Sequence, residues 1–116
     1  MTGYQEFAVK LIQSLEDAIQ VDLDGAEERE VRRKADPAKN LVREFVQKWR
    51  DAPLLQEQQS HRRISDTIQQ LGRFYQTNGV RARLSQDVGS QLLRQLHQAE
   101  EALPPLPEQK LLPFPF

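Results

Sequence analysis

Hydrolysis through a nucleophile needs a serine or cysteine within reach of a histidine that a third group orients. This chain offers His61 and His97 as its two histidines and has no cysteine. Ser60 directly precedes His61, but adjacent residues on a helix point about 100° apart, so the pair does not face itself. His61 is therefore expected as a surface histidine at a helix start. His97 has Glu100 and Glu101 at helical spacing, which predicts an ordinary surface pairing, and the paired-histidine zinc motif is absent. Asp22-Leu23-Asp24-Gly25, followed by Glu27 and Glu28, resembles the opening of a calcium loop. The third acidic ligand and the bidentate glutamate at its twelfth position are missing, so the segment is expected to end a helix and begin a loop. No glycine-rich loop follows a strand, which leaves no phosphate cradle. Catalytic, metal-binding and cofactor-binding residues are all read as none, and the chain is expected not to be an enzyme.

The basic side chains are more informative. Arg29, Arg32, Arg33, Lys34, Lys39, Arg43, Lys48 and Arg50 cluster on and before one helical stretch, and His61, Arg62, Arg63, Arg73, Arg81 and Arg83 frame the next. Glu6, Glu16, Asp17, Asp22 and Asp24 lie on the first helix and its exit, which predicts a molecule of two electrical sides. Solvated helix faces explain most of these charges; the remainder favours an acidic protein partner whose carboxylates arginine forks would grip. With 16 Lys+Arg against 17 Asp+Glu, nucleic acid is not the expected partner.

Four helices must position these groups. Tyr4, Phe7, Ala8, Leu11, Ile12, Leu15, Ala18 and Ile19 fall on one helical face, with Thr2 and Gln5 forming a capping-box pattern. Ala38, Leu41, Val42, Phe45, Val46 and Trp49 predict a second helix over roughly 37 to 50, with Asp36-Pro37 as cap and first residue. Val31 and Ala35 stay in phase with it, so an earlier start bent by Pro37 is the alternative. Trp49 shares that face and is read as a core side chain. Ile64, Ile68, Leu71, Gly72 and Tyr75 mark a third helix, capped by Ser60, stopped by Asn78-Gly79, and allowed a close approach at Gly72. Ser85 opens a fourth, whose core face is Val88, Leu92, Leu96, Ala99 and Leu103. The fold class is all-α, an up-down-up-down four-helix bundle over residues 1–103.

Residues 104–116 differ, since five of the chain's seven prolines lie between Pro104 and Pro115 among Leu106, Leu111, Leu112, Phe114 and Phe116. Such a tail cannot continue a helix and favours extended, polyproline-like chain. It is read as a chain end, free or strapped over its own bundle, or as a docking segment, and it is expected to contribute little to folding. No apolar run approaches the roughly 18 residues of a membrane span, and Met1-Thr2-Gly3 leads into an amphipathic pattern with no signal-peptide core.

Taken in order, Thr2-Gly3-Tyr4, Leu11 to Ile19, Val42 to Asp51, and Ser60, Ile64, Ile68, Leu71, Phe74-Tyr75, Gly79 and Arg81, closing with Gln98-Ala99-Glu100, resemble one family. It is that of the small lumenal photosystem II assembly and repair factor, a lipoprotein in cyanobacteria. The likeness covers about residues 2 to 103. The chain reads Arg81-Ala82-Arg83-Leu84-Ser85 where the family usually has prolines, and Trp49 where a tyrosine is common. The resemblance implies a non-catalytic, monomeric bundle of the thylakoid lumen. It would bind transiently to the lumenal loops of the inner chlorophyll-binding antenna subunit in immature photosystem II while the manganese cluster is assembled, without holding manganese itself. Membrane association would come only through a lipid anchor absent from this chain. Basic residues coincide with the region of likeness, which makes Arg50, Arg73, Arg81 and Arg83 the expected partner-binding residues. The alternative, from another class, is a general helical adaptor whose Pro-rich tail recruits a groove-bearing partner.

Overall fold

The computed structural model describes residues 2–52, 58–79 and 82–103. The Pro-rich tail and Arg81 lie outside them. Four helices follow one another and no strand occurs among the described residues: α1 (Thr2–Leu23), α2 (Glu28–Glu44), α3 (Gln59–Asn78) and α4 (Gln86–Ala102). Successive helices run antiparallel. The Trp49 end of α2 returns to Tyr4 and stands beside the start of α3, while Arg63 and Thr67 meet Gln98 and Gln95 across α3 and α4.

α1 is the central element because its apolar stripe is the longest: Tyr4, Phe7, Ala8, Leu11, Ile12, Leu15 and Ile19 are all buried. It packs along α2 and α4, and α3 packs along α4. Each fully buried large apolar side chain contributes roughly 1.5–3 kcal/mol, so this stripe is the main source of cohesion. α1 includes Thr2, where a cap was expected. It ends as its sequence predicts, in a Schellman turn: Gly25 takes a positive φ of 79°, Ala26 donates to the Val21 carbonyl and Gly25 to that of Asp22.

The second helix corrects the expected boundary at Asp36-Pro37. α2 begins at Glu28 and carries Pro37 inside it, so the earlier start is the one realised. Two helical ion pairs, Arg32 with Glu28 and Arg33 with Glu30, support the charged first turns. Pro37 is exposed, so the carbonyl that loses its helical donor lies on the solvent side, while Ala38 keeps the core register. At Phe45–Trp49 the helix widens into a π turn, with the Arg50 amide bonding back to the Phe45 carbonyl at 2.8 Å.

α3 also starts differently from the sequence expectation. Gln58 occupies the cap position without a side-chain bond, and Ser60 is buried inside the first turn, its hydroxyl 3.5 Å from that of Tyr4. α4 opens as its sequence predicts, with Ser85 Oγ accepting from the Val88 amide at 3.2 Å. The close helix approach is not at Gly72, which is exposed and where an added Cβ would meet nothing within 4 Å; it is at Gly89, where an added Cβ would stand 2.4 Å from a Leu23 methyl.

Candidate partner-binding surface

Aromatic side chains close one end of the bundle. Trp49 lies 5.7 Å from the Tyr4 ring and 6.0 Å from Phe7, and Phe45 lies 5.2 Å from the His61 imidazole. His61 is 3% exposed, and its Nε2 donates to the Trp49 carbonyl at 2.8 Å. This corrects the surface reading of His61: it falls three residues before Ile64 and seven before Ile68, in phase with the buried stripe of α3. That phase was the available signal. The imidazole ties the π turn to α3 and faces no nucleophile, because Ser60 points to Tyr4. Burial holds the Tyr4 phenol above its ordinary pKa, with the Ser60 hydrogen bond offsetting part of the rise.

Charge organises the opposite end. Asp22 lies in the last turn of α1, three residues after Ile19 and in the register of the core, and its buried carboxylate accepts from Arg83 Nε at 2.5 Å and from the Leu84 amide at 3.2 Å. Arg83 Nη2 also donates to the Asp22 carbonyl at 3.0 Å, and Gln86 Nε2 to that of Leu23 at 3.0 Å. The segment leading into α4 is thereby clamped to the C-terminus of α1, where the helix dipole favours a cation. The acidic residue read as a helix stop is thus also a latch. An acid in phase with an apolar stripe is the sequence sign of such a role.

Of the four expected partner-binding arginines, the three that are described, Arg50, Arg73 and Arg83, do not form one cluster. Arg50 follows the π turn at the aromatic end, exposed, with Nη2 3.3 Å from its neighbour Asp51. Arg83 is at the Asp22 end; α1 separates Tyr4 from Asp22 by 18 residues, about 27 Å of helix. Arg83 keeps 43% of its side chain exposed while bonded to Asp22. Arg73 is exposed on α3, toward the same end as Arg83, and forms no ion pair among the described residues. Arg81 lies outside the described residues.

Other charges are paired locally. Lys48 stands 3.7 Å from Glu44, and His97 Nε2 3.5 Å from Glu101, the surface pairing expected of it. Between α1 and α4, Glu16 has its pKa raised, first by burial and then by the negative charge of Glu100. No group of three or more histidine, aspartate or glutamate side chains is placed to hold a metal among the described residues. No helix among them is long and apolar enough to cross a membrane.

Comparison with known proteins adds what geometry alone does not. The chain is 33% identical over 72 residues to a protein of Arabidopsis thaliana named Photosystem II D1 precursor processing protein PSB27-H2, chloroplastic. The matched stretch is 62% of this chain and 36% of that relative, so the chain corresponds to about a third of the relative's length. No solved structure matches. The family described as Photosystem II Pbs27 matches residues 1–103, a span that contains all four helices, the aromatic end and the Asp22–Arg83 latch, and the chain belongs to that family.

Proposed function

We propose that this chain is a non-catalytic photosystem II assembly and repair factor. It binds transiently to the lumenal side of the inner chlorophyll-binding antenna subunit in immature photosystem II and assists manganese-cluster assembly there. The observation that carries this reading is the family match across residues 1–103. On this reading the protein works in the thylakoid lumen as a monomer, and its contribution is a shaped, charged surface and not a reacting group.

Arg73 and Arg83 form the partner-facing basic end, Arg50 is a second contact point at the far end, and Arg81, outside the described residues, is the fourth contact residue on this reading. Arg83 is already committed to Asp22 on one side, so it acts chiefly by setting the course of the connection that carries Arg81. Arg73 is the side chain most available to a carboxylate. The test is cosedimentation of the chain with photosystem II particles stripped of manganese, beside mature particles, over a salt series. Preferential binding to the stripped particles, weakened by salt and by the Arg73→Glu/Arg81→Glu pair, is the expected result. Binding that ignores particle state, salt and both substitutions overturns the proposed partner and surface.

A further inference from the structure

The bundle is closed on three sides and open on the fourth. α2 and α3 pack on α1 and α4 respectively but make little contact with each other. Between them lies an open groove of about 300 Å³, floored by Ile19 and walled by Val42, Ile68, Leu71, Tyr75 and Leu84. Nearly all of this lining is hydrocarbon or ring, and a surface of that kind left in water forfeits the stabilisation that burial brings.

An occupant of matching chemistry is tethered nearby. α4 ends at Ala102 beside the first turns of α3, since Arg63 Nη1 bonds Gln98 Oε1 at 2.7 Å. Ile68 and Tyr75 lie five and twelve residues along α3 from Arg63, about 8–18 Å up the axis, and crossing the width of α3 adds about 10 Å. An extended chain advances about 3.1 Å per residue, so residues 111–116, eight to thirteen positions beyond Leu103, have a reach of about 25–40 Å. That range covers the groove, while Leu106 falls short of it. The same residues read Leu-Leu-Pro-Phe-Pro-Phe: four large apolar side chains, with each proline removing one backbone donor that an apolar wall could not satisfy.

We propose that residues 111–116 of this chain fill the α2–α3 groove and complete the apolar cover that the four helices leave open. The tail is then an intramolecular strap, in contrast to the expectation that it adds little to the fold. A partner segment that uses the groove must first displace it.

The test uses the full chain with Phe114→p-benzoylphenylalanine, irradiated and mapped by mass spectrometry over a hundredfold range of protein concentration. Intramolecular cross-links to the segments around Val42 and Ile68–Tyr75, unchanged by concentration, are expected. Cross-links to a second copy, cross-links elsewhere on the chain, or none at all overturn the proposal. Hydrogen exchange gives an independent reading. Leu112→Asp/Phe114→Asp should raise exchange about tenfold on the facing turns of α2 and α3 and leave the middle of α1 unchanged; identical exchange in the two proteins also overturns it.

Discussion

Asp22 and Arg83, 61 positions apart in the chain, meet as a buried carboxylate and a half-exposed guanidinium with Nε 2.5 Å from Oδ1. The pair fixes the angle at which the chain enters α4, because Arg83 and Leu84 both bond the same carboxylate. A buried carboxylate is costly without its donors, so the worth of the pair lies more in what its loss exposes than in its own attraction.

Arg83→Ala leaves the Asp22 carboxylate with the Leu84 amide as its remaining donor, which should cost about 2 kcal/mol, discounted for the exposure of the guanidinium. Asp22→Asn in the Arg83→Ala background should recover part of the loss. Urea unfolding of the single and double variants measures the coupling, and additive losses would show that the latch carries no energy.

Removing the His61 imidazole should be costly for a different reason. His61→Ala opens a cavity beneath Tyr4 and Phe45 and removes the donor to the Trp49 carbonyl, a loss of about 2–4 kcal/mol. Trp49 is the chain's one tryptophan, so its emission should shift to the red as the π turn loosens. His97→Ala, at an exposed pair, should change stability by less than about 0.5 kcal/mol.

The two α3 and α4 glycines should respond oppositely. Gly89→Val forces branched carbon into the Leu23 side chain and should destabilise by about 2 kcal/mol. Gly72→Ala meets nothing within 4 Å and should stabilise by about 0.5–1 kcal/mol, the helix-interior penalty of glycine. Thermal melts of both variants check the assignment of the close approach to α4.

Glu16 makes stability depend on pH with a definite sign. Its pKa is raised by burial and by Glu100, so the folded state holds its proton more tightly than the unfolded chain. The favourable contribution is complete below the ordinary value of 4.5 and fades as pH rises through the folded-state value. Glu16→Gln should therefore be the more stable protein at pH 7 and gain nothing over the parent well below pH 4.5. Denaturant midpoints at the two pH values decide it.

Helical class and inward faces were legible from spacing, because a 3.6-residue period is a local property of the chain. That period alone puts Tyr4, Phe7, Ala8, Leu11, Ile12, Leu15 and Ile19 of α1 and Leu92, Leu96 and Ala99 of α4 in the core, where they are buried, with Ala18 packed at its edge. Ser85 and Gly25 were legible as boundary residues, since a cap and a left-handed turn act on their own helix ends. Local rules failed where two elements compete for one residue. Asp36-Pro37 looks like a start, yet the ion pairs before it and the register after it carry the helix through. Ser60 and His61 look like an exposed first turn, yet Tyr4 and the π turn cover them.

Periodicity states which side of a helix faces inward but not which neighbour lies opposite, and that distinction divides what the chain determines locally from what the fold decides. Amphipathic spacing, capping residues and proline placement were enough to set four helices and a tail that cannot join them. Gly89 instead of Gly72 as the point of contact, Asp22 as the latch for Arg83, the wide separation of Arg50 from Arg83, and the groove between α2 and α3 follow from how those helices pack. Each depends on side chains brought together from distant positions, so its energy exists only once the tertiary structure has formed.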